Sequence, residues 1–343
     1  MLPLPLDCLA CGCGMSDGAG QLPQAVQNSI PIIAVLGPTA SGKTSLSLDL
    51  AHALGGADAV EIISADAFQL YRGLNIGTAK LMPDQRQGIV HHQIDVLDIM
   101  QPASVAAYQA RARADIQDIH RRGKIPLVVG GSGLYVAGLL DELDFPGHDE
   151  QIRAELMRVL ESDGLNPLVQ ELQLLDPVGA ANIDLRNSRR VVRALEVLRM
   201  RDGRVIPSFP RNTSHYAKVL RFGLQWQREI EIRRIEERTA KMFAAGMLEE
   251  THSLLECGLR EAPTASKATG YREAIAVLDG VLAPLQVQAQ VAVATRQLAR
   301  KQRTWFKADP RIQWWQGEHL EGAEHANAIS AMVSAVMEAA DER

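Results

Sequence analysis

Gly37-Pro38-Thr39-Ala40-Ser41-Gly42-Lys43-Thr44 is the stretch whose residue types and spacing encode chemistry most directly. It satisfies the phosphate-cradling pattern G-x-x-x-x-G-K-[ST] without a mismatch. Glycines let successive backbone N–H groups turn inward on an anion, and a following helix N-terminus adds partial positive charge. Lys43 would reach phosphate oxygens, and the Thr44 hydroxyl would ligate a magnesium ion. The pattern predicts that something phosphorylated binds here. It leaves open whether a phosphoryl group is transferred or hydrolysed, or whether the cradle holds a diphosphate that departs from carbon.

The elements that must position this loop are also legible. Ile32 to Leu36 is a short apolar strand before it, and Ser45 to Ala51 continues as a helix after it. A second strand, Val60 to Ile63, runs into Ser64-Ala65-Asp66-Ala67-Phe68-Gln69-Leu70-Tyr71. In open α/β sheets chemistry gathers beyond the carboxyl ends of strands. Asp66 sits at such an end, as a general base, a magnesium ligand or a helix cap. Residues 72–80 form a glycine-rich loop whose two cations, Arg72 and Lys80, suit a substrate-facing surface. His91 and His92 point in different directions, which favours structural roles over shared metal binding. A helix is expected over 104–122, and Ile125 to Val129 reads as a buried strand. That strand ends in Gly130-Gly131-Ser132-Gly133-Leu134-Tyr135, where the Ser132 hydroxyl or local N–H groups could meet a ligand. A tight turn would explain the glycines equally well.

From about 147 to 205 the chain turns helical. Ile152, Leu156 and Leu160 keep helical spacing, as do Leu168, Leu172 and Leu175, with Pro167 and Pro177 at boundaries. Arg186, Arg189, Arg190, Arg193, Arg199, Arg201 and Arg204 crowd one window. Arg186, Arg190 and Arg193 share a helix face opposite Val191, Leu195 and Leu198; this is either a solvated face or a polyanion contact. Val219 to Leu224 returns the chain to the sheet. The next helix carries Arg234 and Arg238 on one side, either pairing with Glu231, Glu237 or Glu249 or clamping a diphosphate. Lys267 and Arg272 flank Tyr271 at a loop-to-helix junction. Residues 289–307 give a helix with an apolar stripe (Val291, Leu298, Trp305) and a basic one (Arg296, Arg300, Arg303, Lys307).

The 343 residues suggest about two domains. With 46% hydrophobic and 22% charged residues the chain is of ordinary globular composition. A net charge of −5 excludes nucleic-acid binding by overall charge, so such contact must come from local patches. No apolar run approaches the ~18 residues of a membrane span. Four cysteines without a secretory signature fit a reducing cytoplasm. Residues 1–29 read as a disordered leader whose true start is Met1 or Met15; Cys8, Cys11 and Cys13 lack a nearby fourth metal ligand.

Taken in order, these motifs resemble the bacterial-type tRNA dimethylallyltransferases from about Ile32 to about Trp315. The carriers are the 37–44 loop, Asp66 with Tyr71-Arg72-Gly73 and Ile76-Gly77-Thr78-Ala79-Lys80, and Gly130 to Tyr135. Arg193-Ala194-Leu195-Glu196-Val197, Gly270-Tyr271-Arg272 and Ala294-Thr295-Arg296-Gln297-Leu298-Ala299 complete the set. The resemblance implies a P-loop NTPase-like α/β fold: a parallel sheet flanked by helices, with an inserted all-helical domain. Its core would span 30–146 and 206–325, the insertion 147–205, and a C-terminal helix or tail 326–343. It implies transfer of a dimethylallyl group from dimethylallyl diphosphate to the amine of adenosine-37 beside the tRNA anticodon, in a cytoplasmic monomer. Lys43, Arg238 and Ser132 would lie at the reacting centre, and Asp66 would accept the amine proton or orient the amine. Residues 37–44 and Arg234 would hold the diphosphate, with Mg²⁺ on Thr44. The anticodon stem-loop would meet Asp66, Ala67, Phe68, Gln69, Arg153, Arg189, Arg190, Val191, Val192, Arg193, Lys267, Gly270, Tyr271 and Arg272. Competing readings are a nucleoside or nucleotide kinase, an adenylate isopentenyltransferase, and a non-catalytic RNA-binding protein with a vestigial loop.

Overall fold

The computed structural model describes residues 30–201, 212–320 and 322–341; the leader with its three cysteines, and Arg204, lie outside these residues. Six parallel strands form one sheet in the order β3-β2-β4-β1-β5-β6. They are β1 (Ile32–Leu36), β2 (Val60–Ser64), β3 (His91–His92), β4 (Ile125–Gly130), β5 (Val219–Gln225) and β6 (Gln313–Gln316). Strands covered on both faces read as continuous apolar runs, and every residue of β1 and β2 is buried. Alternation divides them between two cores. Ile32, Ala34 and Leu36 face one layer, which holds α2 (Val105–Arg121) and α3 (Gly133–Leu140). Ile33 and Val35 face the other, which holds α1 (Lys43–Ala53).

Between β4 and β5 the chain leaves the sheet. Asp149 caps α4 (Glu150–Ser162), and α5 (Asn166–Leu175), α6 (Pro177–Ala181) and α7 (Ser188–Met200) follow. Their apolar faces make a core of their own from Leu156, Leu168, Leu172, Val191, Val192, Leu195 and Leu198. Leu175, expected on that face, is exposed instead. The two connections to the sheet run side by side. Asp141 pairs with Ser214 in an antiparallel bridge, and the Glu142 N–H donates to the Thr213 carbonyl at 2.9 Å. Arg221 and Arg311 both donate to Asp141 and to the Ser214 hydroxyl, fastening this neck to β5.

The chain continues through α8 (Arg228–Ala244), α9 (Met247–Glu256), α10 (Tyr271–Leu278) and α11 (Pro284–Lys307), then β6 and α12 (His325–Asp341). The segment expected as a C-terminal helix or tail at 326–343 carries α12. Ile329, Met332 and Val336 of α12 are buried against the α1 layer, so the last helix is part of the sheet domain. An alanine at Met332 opens a cavity under the sheet and is expected to cost about 2–4 kcal/mol in urea denaturation. An alanine at Leu285, 98% exposed, is expected to stay within about 0.5 kcal/mol of the parent.

Candidate active site

The phosphate loop is held from outside, by its carbonyls. Lys43 Nζ donates to the Pro38 carbonyl at 2.6 Å, Arg234 Nε to that of Ala40 at 3.0 Å and Trp226 Nε1 to that of Ser41 at 3.0 Å. The Arg234 guanidinium also stacks over the Trp226 ring, 4.2 Å from its centre. Arg234 thus meets the loop backbone. Gly37 passes so close to β5 that a Cβ there would lie 2.7 Å from the Leu224 carbonyl oxygen. Only glycine lets the loop seat this deeply. Thr44 is exposed, and among the described residues its hydroxyl makes no hydrogen bond.

Asp66 takes up the turn after β2. Its Oδ1 accepts from the Phe68 N–H at 2.9 Å and the Gln69 N–H at 3.4 Å, so it closes a turn; no helix follows for it to cap. Both bonds fall on one oxygen, leaving the other for a ligand. The Ser132 hydroxyl accepts from the Ala67 N–H at 3.2 Å, joining the β4 strand end to the Asp66 turn. A Cβ on Gly130 would lie 2.4 Å from the Ala65 carbonyl oxygen, which explains the first glycine of that turn.

Three charges meet here. Burial, with the Arg238 guanidinium nearby, pushes the Lys43 ammonium down to about 7, against the attraction of Asp66. Burial also works against the charge of Arg238, and Asp66 supports it. Once Lys43 is protonated, two cations face one carboxylate, an excess of positive charge that an anion would satisfy. A cleft of about 790 Å³ opens over Lys43 and Thr44 and is walled by Asn75, Arg234, Arg238 and Lys241. Behind it lies a pocket lined by Asp66, Phe68, Met242, Phe243, Leu298 and Gln302. Arg238 and Met242 line both. A larger hollow of about 840 Å³ between α3 and α11 includes none of Lys43, Asp66 and Arg238, so size does not mark the chemical centre.

The wall at 72–80 is built differently from the sequence expectation. Lys80, its side chain 1% exposed, donates to the Tyr71 carbonyl, Asn75 Oδ1 and Asp95 Oδ1. Arg72 pairs with Asp98. Lys80 is thus an internal lock. Glu250, which the sequence reading missed, accepts from the N–H groups of Asn75, Ile76 and Gly77 and from the Tyr271 hydroxyl. Gln302 was missed as well: its Oε1 accepts from the Thr39 N–H at 2.8 Å.

Among the residues read as tRNA contacts, Asp66, Phe68 and Gly270 line the pocket, whereas the Gln69 side chain bonds the Ser64 hydroxyl and the Thr78 carbonyl. Val191, Val192 and Tyr271 are buried, so their side chains cannot touch a macromolecule. Arg153 and Arg193 both pair with Glu196, which is fully buried, and Arg193 also donates to the Pro146 carbonyl. Arg199 pairs with Glu171 and Arg201 with Asp144. Arg186 pairs with Asp184. Arg189 and Arg190 are exposed and, among the described residues, lack an acidic partner. Lys267 donates to the Pro263 carbonyl, and Arg272 pairs with Glu273. The basic stripe of α11 is half internal: Arg296 pairs with Glu236 and Arg303 with Glu231. His92 bonds Glu61, as its expected structural role requires.

This geometry has counterparts among known proteins. The sequence profile of the IPP transferase family matches residues 69–309. The chain belongs to that family. It is 47% identical over 292 residues to the tRNA dimethylallyltransferase of Paenarthrobacter aurescens, covering 84% of this chain and 92% of that one. The solved tRNA isopentenylpyrophosphate transferase of Bacillus halodurans superposes with a TM-score of 0.66 at 33% identity, covering 91% of this chain and 98% of that chain. A eukaryotic dimethylallyltransferase acting on tRNA shares the fold at a TM-score of 0.72 and 24% identity, covering 90% of this chain and 79% of its own. Among the described residues of this IPP transferase no helix is long and apolar enough to cross a membrane.

The depressed Lys43 yields a proton-linkage prediction. Free Lys43 is largely neutral above pH 7, whereas Lys43 beside a bound diphosphate is charged. Pyrophosphate binding at pH 8 is therefore expected to take up more protons in the parent than in Lys43→Arg, which stays charged throughout. Calorimetry in buffers of different ionisation enthalpy measures this, and equal uptake would show that Lys43 is already charged.

Proposed function

We propose that this IPP transferase moves a dimethylallyl group from dimethylallyl diphosphate to the exocyclic N6 amine of adenosine-37. Its substrates are tRNAs that read codons beginning with U, and it acts as a cytoplasmic monomer. The observation that carries the reading is Arg238, which lines both the phosphate cleft and the small pocket of about 60 Å³ where Asp66 meets Phe68, Met242 and Phe243. A diphosphate in the cleft would extend its hydrocarbon past Arg238 towards Phe68, Met242 and Phe243. The names of the relatives support the same choice.

The chemistry is a substitution at carbon. The amine nitrogen forms a bond to the allylic carbon as the carbon–oxygen bond breaks, and the bonding electrons leave with the diphosphate. Lys43, Arg238 and inward-facing N–H groups of the loop stabilise that departing charge. Asp66, through its second oxygen, orients the amine and accepts its proton, while Oδ1 keeps the turn closed. Ser132 holds the neighbouring backbone in place. The exposed Thr44 hydroxyl is a hard oxygen donor suited to Mg²⁺, and the diphosphate would supply further oxygens. Such an ion, when bound, adds positive charge beside the leaving group.

On the macromolecular side, Arg189 and Arg190 of the insertion are exposed and, among the described residues, lack an acidic partner, which suits them to the phosphates of the anticodon stem; Arg153 and Arg193 are held by Glu196. Lys267 and Arg272 would present their chains from the opposite wall.

Labelled dimethylallyl diphosphate incubated with unmodified tRNA, AMP and ATP tests the reaction. Label in tRNA is expected; label on AMP alone would identify a free-nucleotide enzyme, and ATP consumption without transfer a kinase. Asp66→Ala is expected to lower kcat by about 10²–10⁴ while tRNA affinity survives. Unchanged turnover would remove Asp66 from the chemistry. Charge reversal of Arg189 and Arg190 together is expected to weaken tRNA binding and reduce the slope of log affinity against log salt by about 2. An unchanged slope would return this face to plain solvation.

A further inference from the structure

Gln302 has one end committed and the other free. Its Oε1 accepts from the Thr39 N–H, and a backbone N–H can be met only by the oxygen, which fixes the orientation of the amide. Nε2, the other end of the amide, faces Gly131, at a point that the Gly37 carbonyl also approaches. It lies 2.7 Å from where a Cβ on Gly131 would stand, next to Ser132 and the Asp66 turn. Among the described residues neither of its hydrogens has an acceptor. Gln302 and Asp66 line the same pocket. The site thus offers a carboxylate that accepts and, from another element, an amide that is held so that it can only donate.

We infer that Gln302 reads the acceptor base, its Nε2 donating to N1 of the extruded adenine while Asp66 accepts from N6. The inference rests on the proposed transfer to an adenine amine and names what selects that base. Extruded bases are read on their Watson–Crick edge. Adenine presents there an amine donor beside a ring-nitrogen acceptor, which matches the pair. Guanine and uracil present a carbonyl beside an N–H, so each would set acceptor against Asp66 and donor against Gln302. The Thr39 bond is what makes the discrimination firm, because the amide cannot turn over to suit a keto base without leaving a backbone N–H unpaired. Cytosine shares adenine's pattern, and its smaller ring places the amine less deeply. The phosphate loop and the base selector are therefore a single hydrogen-bonded unit, and Gly131 has no side chain because Nε2 occupies that space.

The test uses anticodon stem-loop RNAs carrying adenosine, 1-deazaadenosine or 7-deazaadenosine at the target position, with labelled dimethylallyl diphosphate. The parent is expected to lose about 10- to 100-fold in kcat/KM on 1-deazaadenosine, the worth of a lost hydrogen bond in a desolvated site. On 7-deazaadenosine it should stay within about threefold. Gln302→Met keeps the side-chain length and removes the donor. It is expected to bring the adenosine to 1-deazaadenosine ratio close to 1, which no general damage to the loop would do, since such damage cancels in the ratio. Equal rates on adenosine and 1-deazaadenosine in the parent would overturn the inference whether or not the variant folds. So would a preference that survives in Gln302→Met, which would then report only the altered reactivity of the analogue's amine. Transfer to none of the RNAs, adenosine included, would overturn the underlying reaction and the inference with it.

Discussion

A loop that must keep its inward N–H groups free for a ligand cannot be stabilised through them. That constraint shapes much of this molecule. The carbonyls of Pro38, Ala40 and Ser41 are taken instead by Lys43, Arg234 and Trp226, and the N–H of Thr39 is bonded sideways to Gln302. Two of these partners belong to α8 and α11, and Trp226 lies between β5 and α8. The helices after the insertion are thus needed to shape a loop whose contacted residues lie 194 and 263 positions earlier in the chain. β5 contributes by lying so close to Gly37 that no side chain fits between them.

A second constraint is electrostatic. Partial burial works against the charges of Lys43 and Arg238, and Asp66 supports both. Such a site is poorly satisfied when empty and well satisfied by an anion, so ligand affinity is stored as unfavourable charge in the free protein. The same logic is absent from the wall at 72–80. There the charges of Lys80 and Glu250 are matched by partners on every side, and the backbone they hold stays fixed. Charge matched inside the protein builds scaffold, and charge left unmatched builds a binding site.

The difference between those two kinds of charge also explains what could be read from the sequence. β1, β2 and β4 are apolar on both faces and were legible from composition, as were the loop and the strand ends that carry Asp66 and Ser132. β3 is two histidines and β6 is Gln313 to Gln316, too short and too polar to stand out. Arginines look alike in a sequence whether paired or free. Arg153 meets Glu196 across 43 positions and Arg303 meets Glu231 across 72, so a basic stripe on α11 and a basic face on the insertion were each partly internal ion pairs. Gln302 reaches Thr39 across 263 positions, a distance over which no local pattern carries information.

The neck at Asp141 and Ser214 has a consequence for how the chain assembles. β5 pairs with β1 in the middle of the sheet, yet it can arrive only after more than seventy residues have been looped out. Closing a flexible loop costs entropy that grows with the logarithm of its length. An insertion with its own apolar core can collapse first and bring residues 141 and 214 together before β5 finds its place. The Arg221–Asp141–Arg311 cluster then closes over a junction that is already formed. The helical insertion in this view is an early folding unit that shortens the search for the central strand pairing, and a destabilised insertion core should appear as slow refolding of the sheet.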